Sequence, residues 1–584
     1  MNAWEKPLKI GVGIILLAAV WCCLWSFLFL LVTYGSPKGV MPWTAPHYLW
    51  VYSDYPEIAE GLSLSALMAF AGIVLPLAVL YFGGKNRKDL HGDARFAKPR
   101  EIRKAGLMAD KGILVGKLKG KYLVYGGATS VCVGAPTRSG KGVGVVVPNL
   151  LNWPDSVVVL DMKQANYQLT AGYRAKHGQQ CFLFDPLNPE GRTHRWNPLS
   201  YISENPNRRV SDVQQIASLI WPDVSGEDPM WPSSARALFL GLTLYVAETE
   251  DLPLTMGEIY AQATMGDDTR FADEIITRAE EGRPLSKPCV AALSDYVNTN
   301  DKTRQSIRKT FTASLELWAN PVVCAATSAN DFDFRDLRKK RISIYVGAQP
   351  GQMKSLGRIL NLFFQQVVDI NTQTLPEHDP DLKYQCLLLH DEFAALGRMY
   401  SLAHAISYIG GYGLRMLNVY QSDGQLKSRE LYGPELTDSF LENHGVRVYF
   451  PPKDNRVAKE ISDTMGTHTV TVKSTTRQVP KLFGDSSSSR SVTESDQSRE
   501  LMKPQEIREL SSKRSIILAE GTRPILADKI RYYEDPDFTS RLLEAPAVAP
   551  IDMDEYLNDQ AHIPGGQWAA RSMTPTDLEN ADSL

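Results

Sequence analysis

The segment from Gly134 to Lys141 reads G-A-P-T-R-S-G-K, which has the spacing of a phosphate-binding loop. In such a loop the glycines let successive backbone N–H groups point at phosphates, and the lysine adds positive charge near the β- and γ-phosphates. A glycine-rich turn between a strand and a helix is also a common structural device, so the loop alone leaves both interpretations open. The residues predicted to contact the nucleotide are Gly134, Ala135, Pro136, Thr137, Arg138, Ser139, Gly140, Lys141 and Gly142.

Two adjacent acidic residues, Asp391 and Glu392, follow the apolar run Cys386–Leu389. Because parallel α/β sheets bind ligands at the carboxyl ends of their strands, Asp391 is predicted to hold Mg²⁺ and Glu392 to polarise the attacking water. The alternative is that Asp391 caps a helix. The loop and the acidic pair together indicate a site that hydrolyses ATP with Mg²⁺.

Further polar residues end neighbouring strands. Gln421 follows the predicted strand Leu414–Tyr420 and is placed to sense the γ-phosphate, although it could equally be a polar residue in an exposed turn. Asp161 and Lys163 could position the site or contact a neighbouring subunit, but Asp161 could also simply cap the next helix. His390 is given no role, because a buried histidine with satisfied hydrogen bonds is the simpler explanation.

These residues are positioned by strands that alternate with helical stretches, and continuous apolar strands of this kind are typical of a parallel sheet covered on both faces. Between about 205 and 329 the pattern becomes helical throughout, which predicts an all-helical insertion in an α/β P-loop NTPase domain. The predicted strands lie in Lys121–Val133, Ser156–Asp161, Gln180–Asp185, Ile342–Val346, Cys386–Leu389, Leu414–Tyr420, Val446–Phe450 and Ser515–Leu518.

The predicted organisation has six parts, and Gly484–Ser498 is expected to be a mobile loop within the fifth. The parts are a membrane anchor (1–84), a basic juxtamembrane linker (85–110), the first part of the nucleotide-binding domain (111–204), the helical insertion (205–329), the second part of the nucleotide-binding domain (330–545) and a flexible acidic tail (546–584).

The N-terminal region contains two uncharged apolar runs, at about 10–32 and 62–82, each long enough to cross a bilayer. A cleaved signal peptide is the alternative interpretation of the first run, but the run is too long for one and no cleavage site follows it. Lysines and arginines flank the outer ends of the pair, whereas the connecting loop at 33–61 has only Lys38. The positive-inside rule therefore places both termini in the cytoplasm and the loop outside.

The bulk composition excludes some classes of protein. A formal charge of −3 over 584 residues argues against a general nucleic-acid-coating protein, so any contact with DNA is expected to be local and non-specific. The seven cysteines form no C-x-x-C pattern, which argues against a zinc site or a disulfide framework.

The motifs resemble those of the TraG-type coupling proteins of type IV secretion systems, which act in bacterial conjugation and effector export. The resemblance covers roughly residues 1 to 540, and its motifs occur in the same order. They are G-A-P-T-R-S-G-K-G-V-G-V-V-V-P-N-L-L (Gly134–Leu151), V-V-V-L-D-M-K (Val157–Lys163), L-L-L-H-D-E-F-A-A-L-G (Leu387–Gly397), Q-S-D-G-Q-L (Gln421–Leu426) and K-I-R-Y-Y (Lys529–Tyr533).

The resemblance implies a RecA-like motor that forms a homo-hexamer at the cytoplasmic mouth of an inner-membrane channel. It implies a multi-pass inner-membrane protein whose bulk is cytoplasmic, contacting membrane lipid and channel components and receiving relaxase–DNA complexes, effector proteins or both. The helical insertion would act in substrate recognition. Its change of pattern in the middle of the sheet separately predicts an added module that is not needed to fold the ATPase core. Arg415 is the candidate for an arginine that completes the neighbouring subunit's site. Glycine after the loop lysine also fits the family, although a strict P-loop has Ser or Thr at the position of Gly142.

Two other functions remain open at this point. A chromosome-segregation translocase of the FtsK kind also joins membrane spans to a RecA-like ring, but it usually has more spans, a long linker and a C-terminal winged helix. A membrane receptor could bind nucleotide without hydrolysing it, although Glu392 argues against this.

Overall fold

The computed structural model describes residues 5–83, 90–223, 226, 228–266, 268–477 and 490–561. The chain divides into two compact units, one comprising residues 1–92 and 469–497 and the other residues 93–468 and 498–584.

The first unit contains two long apolar helices joined by a shorter one: α1 (Glu5–Tyr34), α2 (Thr44–Tyr52) and α3 (Pro56–Gly83). The windows Leu17–Tyr34 and Pro56–Pro76 are long and apolar enough to cross a membrane. The loop expected between the spans is folded against α1, since the Ser26 hydroxyl donates to the Pro42 carbonyl and accepts the Ala45 N–H.

The second unit is built on one sheet of eleven strands in the order β2-β1-β13-β12-β9-β3-β8-β7-β4-β6-β5. These strands are β1 (Ile113–Leu118), β2 (Lys121–Tyr125), β3 (Ser130–Gly134), β4 (Ser156–Asp161), β5 (Gln180–Phe184), β6 (Ile342–Gly347), β7 (Cys386–His390), β8 (Leu414–Tyr420), β9 (His444–Tyr449), β12 (Arg514–Ala519) and β13 (Ile525–Asp528). A separate two-stranded sheet contains β10 (Thr467–Arg477) and β11 (Arg490–Glu500).

The seven strands from β9 to β5 pair in parallel, and the four outer strands pair antiparallel. Every residue of β4 is buried, because its alternate side chains enter two different hydrophobic cores. Val158 and Leu160 face one core, while Val157 and Val159 face the other. The expected parallel α/β sheet covered on both faces is therefore present.

The helices of this unit are α4 (Pro99–Lys104), α5 (Val147–Asn152), α6 (Ala165–Lys176), α7 (Pro206–Ile220), α8 (Met230–Ala247), α9 (Met256–Thr264), α10 (Arg270–Glu280), α11 (Lys287–Asn298), α12 (Asp301–Ser314), α13 (Pro321–Ala326), α14 (Met353–Asn371), α15 (Tyr400–Ala405), α16 (Asp423–Leu426), α17 (Gly433–Glu442), α18 (Asn455–Met465), α19 (Pro504–Arg508), α20 (Pro536–Thr539) and α21 (Met553–Ala561). Between β5 and β6 the described residues form helices and no strand. The buried side chains of this helical region, such as Phe239 and Trp318, belong to the same core as one face of the sheet.

Part of the segment expected to be a flexible tail is packed against the second unit. The Arg192 guanidinium donates to the Val548 carbonyl, and the Ile551 N–H donates to the Gly191 carbonyl. Tyr556 on α21 packs against the main core. The acidic composition concealed these apolar anchors, so the expectation of a flexible tail is corrected for 546–561, and residues 562–584 lie outside the described residues.

Two further expectations differ from the structure. Residues 490–498 of the predicted mobile loop belong to β11, which pairs with β10, a strand rich in Thr and Val, and residues 484–489 lie outside the described part. In the predicted linker, Ile102 and Leu107 are fully buried in the second unit, so this segment is part of the folded domain from Asp93 onward.

Candidate functional site

The phosphate-loop segment leaves β3 at Gly134 and turns into helical structure at Gly142. Arg138 and Gly140 have φ values of 61° and 85°, in the left-handed region that reverses the direction of the backbone. A side chain at Gly134 would place its Cβ 3.0 Å from the Tyr449 ring, so any larger residue would have to displace this ring. The loop therefore has the tight, glycine-dependent form that the sequence predicts.

The acidic pair follows β7 directly and meets the loop lysine. The Lys141 ammonium lies 2.5 Å from Oε2 of Glu392 and also donates to the Asp391 carbonyl oxygen at 3.0 Å. Strand β7 is separated from β3 by β8, so a long side chain is needed to span this distance. The fold thus brings together two motifs that are 250 residues apart in the sequence.

Gln421 reaches the Glu392 carboxylate from the end of β8, the strand that lies between β3 and β7. Its Nε2 donates to Oε2 of Glu392 at 3.1 Å, so one oxygen accepts hydrogen bonds from both Lys141 and Gln421. This contact favours a role in the site over a polar residue in an exposed turn.

Asp391 is a largely buried carboxyl. Desolvation raises its pKa, while the Lys141 ammonium lowers it and Glu392 raises it further. Its Oδ1 is buried and has no hydrogen-bond partner among the described residues, and the same holds for Oε1 of Glu392 and the Ser139 hydroxyl. Buried oxygens without partners are costly unless a ligand satisfies them, so this donor set fits a cation and a phosphate group.

The helix-cap alternative for Asp391 does not match the structure, because the short 3₁₀ turn that follows (Phe393–Leu396) has no side-chain cap. For Asp161 the cap interpretation does match. Its Oδ2 accepts the Tyr167 N–H at 2.8 Å in the first turn of α6, and burial raises the pKa of this carboxyl to about 6. Asp161 therefore organises α6.

Arg415 is not part of this site, which corrects the prediction that it serves a neighbouring subunit. It lies near the start of β8, about 20 Å from Gln421 at the rise of an extended strand. Its side chain is 2% exposed and lies over the Tyr125 and Trp153 rings, where burial lowers its pKa. The sequence could not reveal this, because a strand arginine can point into a layer of aromatic residues as well as into solvent.

A buried polar chain behind the acidic pair was missed by the sequence analysis. The His390 Nδ1–H donates to Oδ1 of Asn418 at 2.7 Å, and the Asn418 amide donates to Nε2 of His444 at 3.1 Å. The His444 Nδ1–H then donates to the Phe440 carbonyl. Both histidines are fully buried, and desolvation lowers the pKa of His390 to about 4. His390 is thus a buried core histidine that Asn418 orients through Nδ1. The expectation of satisfied hydrogen bonds holds for that nitrogen only, because Nε2 is buried and has no hydrogen-bond partner among the described residues.

Comparisons with known proteins agree with this architecture. The profile of the family described as type IV secretory system conjugative DNA transfer matches residues 95–551. The chain belongs to this family of type IV secretion coupling proteins.

Two curated relatives cover most of the coupling protein. It is 33% identical to the protein VirD4 of Rhizobium rhizogenes over 520 residues, covering 86% of this chain and 74% of the relative. It is 28% identical to the conjugal transfer protein TraG of Escherichia coli over 567 residues, covering 88% of each chain. These relatives favour the coupling-protein interpretation over the FtsK-type translocase.

The solved structures support the fold. The plasmid coupling protein TrwB in complex with ADP and Mg²⁺ matches with a TM-score of 0.54 and 16% identity, covering 80% of this chain and 96% of that chain. TrwB in complex with the ATP analogue ADPNP also gives a TM-score of 0.54, at 18% identity. The RecA-like domain predicted from the motifs is therefore the observed fold.

Proposed function

We propose that this coupling protein hydrolyses ATP at the Lys141–Glu392–Gln421 site and uses the energy to pass substrates to a secretion channel. The observation that carries the proposal is the convergence of three strand ends on one carboxylate: a cation from the loop after β3, an acid after β7 and an amide after β8. A receptor that only binds nucleotide has no need for an acid held at this position.

Each residue has a distinct role in this proposal. The backbone of Gly134–Gly142 cradles the phosphates, and Lys141 carries positive charge to the β- and γ-phosphates. Glu392 orients and deprotonates the attacking water, and Gln421 holds the Glu392 carboxylate in place. Asp391 would hold Mg²⁺, which would neutralise charge on the phosphate oxygens. Since Gly142 has no hydroxyl, water is the proposed substitute in the Mg²⁺ shell.

The proposed assembly is a homo-hexameric ring with the nucleotide between subunits. Burial of Arg415 removes the only arginine that the sequence singled out for the neighbouring site. The arginine that acts across the interface is therefore unassigned.

The proposed location is the bacterial inner membrane, with α1 and α3 as spans, their connecting loop outside and the bulk of the chain in the cytoplasm. The basic residues that flank the spans support this orientation. Reporter fusions that are active only in the periplasm should work at positions 33–61 and fail at the C-terminus. The reverse pattern would overturn the topology and remove the site from cytoplasmic ATP.

The proposed substrates are relaxase–DNA complexes, effector proteins or both, received with the help of the helical insertion at 205–329, and any DNA contact is local and non-specific. The experiment combines ATP turnover by the purified full-length protein with substrate transfer in cells carrying the secretion system. Both should be lost in a Glu392→Gln variant that is produced at normal levels. Transfer at the normal rate by a variant without turnover would refute the motor function.

A further inference from the structure

Lys529 is the first residue of the K-I-R-Y-Y motif, to which the proposed function gives no role. It follows β13 directly, and its ammonium donates to the Ser139 carbonyl oxygen of the phosphate loop at 3.3 Å. The same ammonium lies 3.6 Å from the centroid of the Phe450 ring, a buried residue just after β9. Desolvation, and to a smaller extent the nearby charge of Arg531, lower the pKa of Lys529 to about 8. The sheet thus holds a partly buried cation against the Ser139 carbonyl of the loop.

The acids around Lys529 pair with other bases. Among the described residues, Lys529 itself forms no ion pair, so the loop carbonyl and the aromatic ring are its polar contacts. The neighbouring pairs are Asp535 with Lys117 at 2.5 Å, Glu534 with Arg531 at 2.9 Å and Asp528 with Arg514 at 3.1 Å. A lysine in this position is directed at the loop because no carboxylate competes for it.

The contact fixes the orientation of one peptide plane. The Ser139–Gly140 peptide is trans, and in a planar trans peptide the carbonyl and the following N–H point in opposite directions. Holding the Ser139 oxygen towards Lys529 therefore turns the Gly140 N–H away from Lys529. Gly140 N–H makes no backbone hydrogen bond among the described residues, and inward N–H groups are what an anion cradle requires.

We propose that Lys529 is a positioning residue of the nucleotide site, which keeps the Gly140 N–H directed at the phosphates by holding the Ser139 carbonyl outside the loop. This inference rests on the proposed nucleotide-binding function. Lys529 directly follows β13, which pairs antiparallel with β12. Its contact with Ser139 therefore also links the loop to the outer half of the sheet.

The test compares full-length Lys529→Met, Lys529→Arg and the control Lys513→Met. Lys513 and Lys529 line one surface cavity, and the Lys513 backbone carbonyl accepts the Lys529 N–H. We expect Lys529→Met to weaken binding of a fluorescent ATP analogue about tenfold, the size of one lost charged hydrogen bond, and to raise KM with little change in kcat. Lys529→Arg should restore most of the affinity, and Lys513→Met should bind normally.

The increase in Tm that ADP produces in each variant provides a second measurement, because it compares a variant with itself and does not depend on basal stability. A normal ADP-induced shift in Lys529→Met, equal defects in the Met and Arg variants, or a loss of kcat at unchanged KM would each overturn the positioning role. If the wild-type protein binds nucleotide but hydrolyses none, the proposed motor function fails while the comparison of affinities still tests Lys529.

Discussion

Lys141 and Glu392 form an ion pair with 2.5 Å between Nζ and Oε2, although 250 residues separate the loop from the acidic pair. Their side chains are 21% and 12% exposed, so solvent screens the pair only in part. The base proposed for water activation is thus held by the cation proposed for phosphate binding. A change at either residue therefore alters the environment of the other, but the two changes should affect different steps.

Lys141→Ala should lower nucleotide affinity and turnover together, because it removes the charge that faces the β- and γ-phosphates. It also leaves Glu392 with Gln421 as its remaining hydrogen-bond donor among the contacts described. Equilibrium binding of a fluorescent ATP analogue and steady-state turnover are the measurements. Lys340→Ala, which removes an exposed lysine paired with Asp336, is the control. Unchanged affinity in Lys141→Ala would show that the loop does not bind the phosphates.

Glu392→Gln should still bind ATP while hydrolysis falls by about 10² to 10⁴, because the side chain keeps its shape and loses the proton acceptor. If the site lies between subunits, trapped ATP should also favour assembled rings, which size measurements with and without ATP would detect. Glu442→Gln, an exposed substitution at the end of α17, is the control. Near-normal hydrolysis in Glu392→Gln would remove this residue from the mechanism and return the nucleotide-binding receptor to consideration.

Gln421→Ala should lower kcat about tenfold with little effect on nucleotide affinity, because it removes one hydrogen bond to Glu392 and none to the loop lysine. Gln421→Glu should be more harmful. Two carboxylates at this distance disfavour each other's charged forms and raise the pKa of the base. The kcat of the Glu variant should therefore recover partly as the pH is raised. Equal defects at all pH values would argue that Gln421 acts only through packing.

Much of the site could be predicted because its residues stand at the ends of strongly apolar segments. The continuous runs in β4, β7 and β8 fixed which residues lie at the carboxyl edge, and parallel strands bring such ends together. The stretch Lys121–Val133 was read as one β-rich unit, but the structure divides it at Gly126 and Gly127. Its first half, β2, lies at the edge of the sheet and its second half, β3, near the centre. Local pattern carries no information about that separation.

The residues that were misjudged, or that received no role from the sequence, depend on packing between distant segments. Arg415 and Lys529 are both long cations beside strand ends, yet one is enclosed by aromatic rings away from the site and the other contacts the phosphate loop. Their sequence neighbourhoods do not distinguish these outcomes, because the deciding partners, Trp153 and Ser139, come from other parts of the chain. The docked segment at 546–561 was misjudged for the same reason.

Gly142→Ser should be tolerated and should lower the Mg²⁺ concentration needed for half-maximal turnover. A Cβ at Gly142 would meet no atom within 4 Å, so crowding does not require glycine there, and the added hydroxyl stands where other P-loops provide a Mg²⁺ ligand. Gly134→Ser is the contrasting variant, because its Cβ would lie 3.0 Å from the Tyr449 ring and should destabilise the loop. An equal loss of Tm in both variants would show that Gly142 is needed for the backbone itself.

His444 should make the folded protein sensitive to acid. Its pKa is lowered to about 3, mainly because burial disfavours the charged ring. The hydrogen bond to the Phe440 carbonyl opposes this shift, and the nearby charge of Arg447 adds to it. In the unfolded chain a histidine has a pKa of about 6.5, so the unfolded state binds the proton first as the pH falls. The neutral ring therefore contributes stability that is complete above about pH 6.5 and is lost as the pH falls towards the folded value, at up to about 1.4 kcal/mol per pH unit.

His444→Gln is the variant that tests this, because its amide can still accept from Asn418 and donate to the Phe440 carbonyl but cannot take up a proton. The measurement is the Tm of the full-length protein at about pH 7.5 and about pH 5, a range that spans the unfolded pKa. The wild type should lose more Tm across this interval than His444→Gln, even if the variant is less stable at the higher pH. Equal losses would mean that other groups, such as carboxylates that bind protons on unfolding, account for the acid sensitivity and that the buried histidine chain does not.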